Sequence, residues 1–160
     1  MIEVGISDLH VAVQDEVLVT RALGSCVGVC LYDSAVKVAG LSHIMLPDSK
    51  PFAPVEGRQL YKFADTALPA LVEKMEEKGA VRTRIKAKIA GGAQMFACAA
   101  NSSLASIGQR NILAVKITLL RLHIPILAED TGKDYGRTQI FSAADGVMQI
   151  KSVIKGEWKY

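Results

Sequence analysis

Apolar residues occupy every second position near the start of the chain: Ile2, Val4 and Ile6, then Leu9, Val11 and Val13. That period sends side chains to alternate faces and predicts either one interrupted β-strand or two short ones. Gln14-Asp15-Glu16 turns the chain into a further strand over 17–20. Two denser apolar runs follow, 27–32 and 36–45, separated by Asp33-Ser34-Ala35 and ended by Pro47. They read as an antiparallel hairpin. The period then changes. Leu60, Phe63, Ala67, Leu71 and Met75, with Leu68 and Val72 widening the stripe, predict a helix over 58–78 that stops at Gly79. Pro69 should kink this helix or split it near Asp65.

Ile85, Ala87 and Ile89 mark another strand, which ends in Ala90-Gly91-Gly92-Ala93. Residues 94–108 are small and polar and read as irregular or a short helix. A second amphipathic helix is predicted over 109–122, burying Ile112, Val115, Leu119 and Leu122. A strand over 124–128 carries Pro125, an edge signal. Residues 129–137 form a loop, and strands 138–142 and 147–153 are joined through Asp145-Gly146, a hairpin signal. The total is eight or nine strands and two or three helices. That is an α+β fold of mostly antiparallel β-sheets flanked by helices, in a single domain spanning 1–160.

Composition narrows the function. Half of the 160 residues are hydrophobic and 22% are charged, as in ordinary globular proteins. No apolar run reaches the ~18 residues of a membrane span, and no secretory signal opens the chain, so a cytoplasmic location without membrane insertion is expected. The net charge of +3 is mild and the basic residues are scattered, which leaves nucleic-acid binding unsupported. Three cysteines, Cys26, Cys30 and Cys98, form no CxxC pair, so a disulfide framework is not expected. Cys26 and Cys30 on one strand lie about 13 Å apart, too far to share a zinc ion. Neither a metal nor a cofactor is called for.

The candidate chemistry gathers at Thr20-Arg21-Ala22-Leu23-Gly24-Ser25-Cys26 and at His43. With an even-length hairpin loop centred between Ser34 and Ala35, Cys26 faces His43 with Cβ atoms roughly 4.5–5.5 Å apart. A three-residue loop or a bulge would shift that register. A thiol opposite a base is the minimum for a cysteine nucleophile. The Gly24-Ser25 turn can leave backbone N–H groups aimed at an oxyanion, and Thr20 can flank the thiol from the other side. The plainer alternatives are a buried cysteine and a core histidine satisfied by a carbonyl. Cys30 and Cys98 read as small buried hydrophobes, and His10 and His123 as structural. Gly91-Gly92 lacks the Gly-Lys-Ser/Thr of a P-loop, and Asp130, Asp134 and Arg137 read as a solvated turn, with a substrate-facing loop the weaker alternative.

Five blocks carry a family resemblance over nearly the full chain. They are Leu23-Gly24-Ser25-Cys26-Val27; Ser42-His43-Ile44-Met45-Leu46-Pro47-Asp48; Ile89-Ala90-Gly91-Gly92-Ala93-Gln94-Met95-Phe96; Ile107-Gly108-Gln109-Arg110-Asn111; and Glu129-Asp130-Thr131-Gly132 with Gly136-Arg137. In these the sequence resembles the CheD family of chemoreceptor glutamine deamidases. Where a second glycine follows Thr131-Gly132 in the family, this chain has Lys133. The resemblance implies a cysteine nucleophile, a histidine and a threonine at Cys26, His43 and Thr20, and a fold like that of cysteine-dependent bacterial toxin deamidases. It implies hydrolysis of glutamine side-chain amides in methyl-accepting chemotaxis receptors to glutamate and ammonia through a thioester. It also implies a regulatory partner, the CheC-type CheY-phosphate phosphatase. The rival reading is a non-catalytic adaptor that binds receptors and CheC. A small-molecule amidase and a redox-sensing thiol are weaker alternatives.

Overall fold

A computed structural model describes residues 1–95 and 107–160; the predicted irregular segment 94–108 therefore lies mostly outside the described residues, as does Cys98. Ten strands and two α-helices are described, in the order β1 (Ile2–Glu3), β2 (Leu9–Val13), β3 (Val17–Leu23), β4 (Val27–Asp33), β5 (Val38–Ile44), α1 (Ala64–Glu77), β6 (Lys86–Gly91), α2 (Ile107–Arg121), β7 (Ile126–Thr131), β8 (Arg137–Ser142), β9 (Met148–Ser152) and β10 (Gly156–Lys159). The fold is α+β. One five-stranded sheet runs β1-β3-β8-β9-β10 and the other β2-β5-β4-β6-β7, with all neighbours antiparallel except β1–β3 and β6–β7.

The layers follow from side-chain parity. In β4, Val27, Val29 and Leu31 join Leu68, Leu71, Val72 and Met75 of α1 and Ile112, Val115 and Leu119 of α2 in one core. The opposite face sends Cys30 into a second core with Ala39 and Leu41 of β5 and Leu18, Leu23, Phe141, Met148 and Ile150 of the other sheet. The second sheet is thus covered on both faces, by helices and by the first sheet. This explains why β4 and β5 read as unbroken apolar runs rather than as alternation.

Several sequence expectations change. The hairpin pairs Asp33 with Val38 and Gly28 with His43, so its loop is the four residues 34–37, closed by Lys37 at φ 53°. The centre moves by one residue and the pairing by two. Residue 21 onward is not a loop: β3 continues to Leu23 through an irregularity after Thr20, with Ala22 at φ 57°. β3 and β4 lie in different sheets, so Thr20 does not flank Cys26 across a hairpin. The helix predicted from 58 begins at Ala64 after a turn of 3-10 helix over Gly57–Tyr61. Pro69 does not split the helix: it lies inside α1, where it leaves Asp65 O without its helical donor, and the break falls upstream, at the extended Phe63 that precedes Ala64. β7 pairs in parallel with β6 as an edge strand and extends through Thr131 into the predicted loop. β10, beyond the last predicted strand, adds an edge to β9.

Candidate active site

His43 is fully buried, and its parity on β5 turns it into the layer between the sheets. There its Nδ1 lies 2.7 Å from Thr20 Oγ1 on β3. The same hydroxyl stands 2.6 Å from the carbonyl oxygen of Val4 and donates to it. A threonine has one proton to give, and a carbonyl can only accept. The hydroxyl therefore accepts from Nδ1–H, which fixes the histidine tautomer and leaves Nε2 with an open lone pair. Nε2 is buried and has no hydrogen-bond partner among the described residues.

Cys26 sits just before β4, in the bend 24–26, and is partly exposed. Gly28, two residues on, is the partner of His43. Cys26 is therefore a diagonal neighbour of His43 on the same face rather than its direct opposite. In a regular ladder that diagonal spans roughly 7–8 Å between backbone positions. The two-residue change of register preserved the face, where a one-residue change would have turned the thiol to the helices.

The bend is held through its carbonyls. Gly24 O accepts from Ala93 N at 2.8 Å, Cys26 O from Gly92 N at 2.8 Å, and Ser25 O from Asn111 Nδ2 at 2.9 Å. Gly24 and Ser25, expected to contribute N–H groups, have those groups without an acceptor among the described residues; the same holds for Cys26. Gly91-Gly92 has a role that its sequence did not disclose. Gly91 has φ 105°, and a Cβ there would lie 2.3 Å from Cys26 O, so only glycine lets β6 approach the bend. Asn111 on α2 was also missed as a site residue; the Ile107–Asn111 block pointed to it but assigned it no task.

The electrostatics differ from a thiolate–imidazolium pair. Burial pushes the Cys26 thiol up, and burial pushes His43 down to about 4. Both groups are neutral at rest around pH 7, because neither charge is solvated. Cys30 is buried, and desolvation raises its thiol well above the ordinary value, as befits an inert core residue. The expected solvated turn of Asp130 and Arg137 is instead a buried ion pair at 2.8 Å, with Trp158 and Tyr160 of the β10 end also donating to Asp130. Asp134 lies in the β7–β8 connection.

Fold and site together define a two-sheet α+β protein with a histidine anchored between the sheets and a thiol at its rim. The family model for CheD, described as CheD chemotactic sensory transduction, matches residues 45–152. The chain belongs to the CheD family. A probable chemoreceptor glutamine deamidase CheD of Clostridium novyi is 52% identical over 155 residues, covering 97% of this chain and 94% of the relative. One from Clostridium botulinum is 51% identical over 152 residues, covering 95% and 93%. Among solved structures, the Bacillus licheniformis hypothetical protein YfiH superposes with a TM-score of 0.40 at 12% identity, over 71% of this chain and 46% of that one.

Proposed function

We propose that this protein hydrolyses the side-chain amide of glutamines in methyl-accepting chemotaxis receptors, with Cys26 as nucleophile, His43 as base and acid, and Thr20 as its anchor. The observation that carries the proposal is the unpartnered Nε2 of a histidine whose Nδ1 is held by Thr20. Nε2 takes the Cys26 proton as Sγ bonds to the amide carbon, and the amide oxygen becomes an oxyanion. Backbone N–H groups of the Gly24-Ser25-Cys26 bend stabilise that charge. His43 then returns the proton to the nitrogen, the C–N bond breaks and ammonia leaves a thioester. Water adds to the thioester with its proton passing to Nε2, and the C–S bond breaks to give glutamate and restore the thiol. Each turnover changes a neutral residue into an anion on the receptor.

The curated relatives are named as chemoreceptor glutamine deamidases, which supports the substrate class. CheC-type phosphatases are the accompanying regulatory partner of this reading. Mass spectrometry of a receptor cytoplasmic fragment tests it. Wild type should add about one mass unit at discrete glutamines, and Cys26→Ala should add none, since the chemistry depends on the sulfur. Deamidation by the Cys26→Ala variant would overturn the mechanism. Restored signalling without deamidation would favour an adaptor.

A further inference from the structure

We infer that Asn111 is a positioning residue that builds the oxyanion site of this enzyme, an inference that rests on the cysteine mechanism proposed above. Asn111 lies in the first turns of α2 and is fully buried. Its Nδ2 donates to two carbonyls at once, Ser25 O at 2.9 Å and Met45 O at 3.0 Å. Both partners are pure acceptors, so the contacting atom must be the nitrogen and both its protons are used. The two carbonyls belong to the two segments that carry the chemistry. Ser25 precedes the nucleophile and Met45 lies two residues after His43.

The peptide plane turns this clamp into a catalytic device. Among the described residues the only cis peptide bond is Ala53–Pro54, so the Ser25–Cys26 bond is trans. In a trans peptide the C=O and the N–H point in opposite directions. Drawing Ser25 O towards α2 therefore drives Cys26 N–H away from α2. The neighbouring plane obeys the same rule: Gly24 O is held by Ala93 N, which sets the direction of Ser25 N–H. The directions of two successive N–H groups, those of Ser25 and of the nucleophile's own residue, are thereby fixed, and neither donates to a described residue. Donors held in place before charge develops are what an oxyanion site requires. An unclamped Gly24-Ser25 bend could rotate its peptides to satisfy those donors locally.

The test separates acyl chemistry from mere integrity of the thiol. Asn111→Ala removes the clamp, and Asn111→Asp keeps its shape but replaces the donor with an acceptor. In either folded variant kcat for receptor deamidation should fall about a hundredfold or more, the scale of losing an oxyanion donor, while KM changes little. Alkylation of Cys26 by iodoacetamide forms no oxyanion, so its rate should stay within about twofold of wild type. Deamidation retained within about threefold would overturn the inference, and so would a parallel loss of alkylation and kcat, which marks general damage.

Should neither variant fold, wild type decides. A peptide bearing an aldehyde in place of the glutamine amide forms a thiohemiacetal with Cys26, and the backbone amide proton signals of Ser25 and Cys26 should move downfield in NMR spectra. Unmoved signals in that adduct would refute the assignment. A Cys26-dependent enzyme that is indifferent to Asn111 would sink only this inference, whereas a Cys26-independent enzyme would sink the mechanism beneath it.

Discussion

A single threonine proton decides the chemistry of His43. Because Thr20 spends it on Val4 O, the imidazole must carry its own proton on Nδ1 and present Nε2 bare. The residue types were legible in the sequence: Cys26 after Gly-Ser, a histidine on the next strand, a threonine six residues earlier. Val4 as the far end of the relay was not, since a backbone carbonyl has no sequence signature. The charge state was not legible either, because it depends on how deeply the pair is buried. Desolvation raises Cys26 and lowers His43, so the thiol rests as a neutral S–H around pH 7. Alkylation by iodoacetamide reports the thiolate fraction. Its rate should be low at pH 7, climb about tenfold by pH 8 and still be rising at pH 9. Over the same series the deamidation rate should stay level between about pH 8 and 5.5, because a base lowered to about 4 is still unprotonated there. An alkylation plateau already present at pH 6 would show an ion pair instead.

At the scale of elements, the site is a junction of four strands that share one layer. Thr20 and Gln139 are neighbours on β3 and β8, and His43 and Gly28 are neighbours on β5 and β4. Thr20 reaches across to His43, and Gln139 Nε2 reaches across to Gly28 O at 3.2 Å. The missing side chain at position 28 is the slot that Gln139 fills; a Cβ there would fall 1.8 Å from its Oε1 and 3.1 Å from Leu23 Cδ1. Strand periodicity located β3, β4, β5 and β8. It could not show that β3 and β4 part into different sheets, because that depends on which apolar faces meet. The hairpin register was misread for a local reason: Lys37 takes the left-handed conformation usually given to glycine or asparagine. Gly28→Ala should destabilise the protein by about 1–3 kcal/mol through overpacking. Adding Gln139→Ala should recover part of that loss, with a coupling of about 0.5–3 kcal/mol in urea unfolding. Strict additivity of the two changes would show that Gln139 does not occupy the slot.

Across the whole molecule, polar contacts tie the layers at their rims. Tyr32 Oη donates to Ala143 O at 2.8 Å, and Lys88 Nζ donates to Gly146 O and Tyr160 O, joining the two sheets. Asp33, at the end of β4, is pushed up by burial but pulled further down by hydrogen bonds from Arg84, Val81 and Ala35, so it remains a carboxylate. His43 stands at the centre of this assembly, buried without charge, and makes stability depend on pH. Its unfolded value of 6.5 drops to about 4 on folding. The stabilisation from keeping it neutral is fully present above 6.5 and is lost as pH falls towards 4, where the unfolded chain binds a proton that the folded one refuses. At pH 5 about 2 kcal/mol should be gone relative to pH 7.5 or above. For a protein of this size that is a Tm lower by about 4–8 °C. Other groups titrate over the same interval, so the measurement is a comparison of wild type with His43→Gln at both pH values. The variant lacks the buried imidazole and should lose less Tm on acidification by that same margin. Equal losses in the two proteins would mean that His43 reaches solvent readily enough to take up a proton in the folded state. The neutral Cys26–His43 pair would then have to be abandoned along with it.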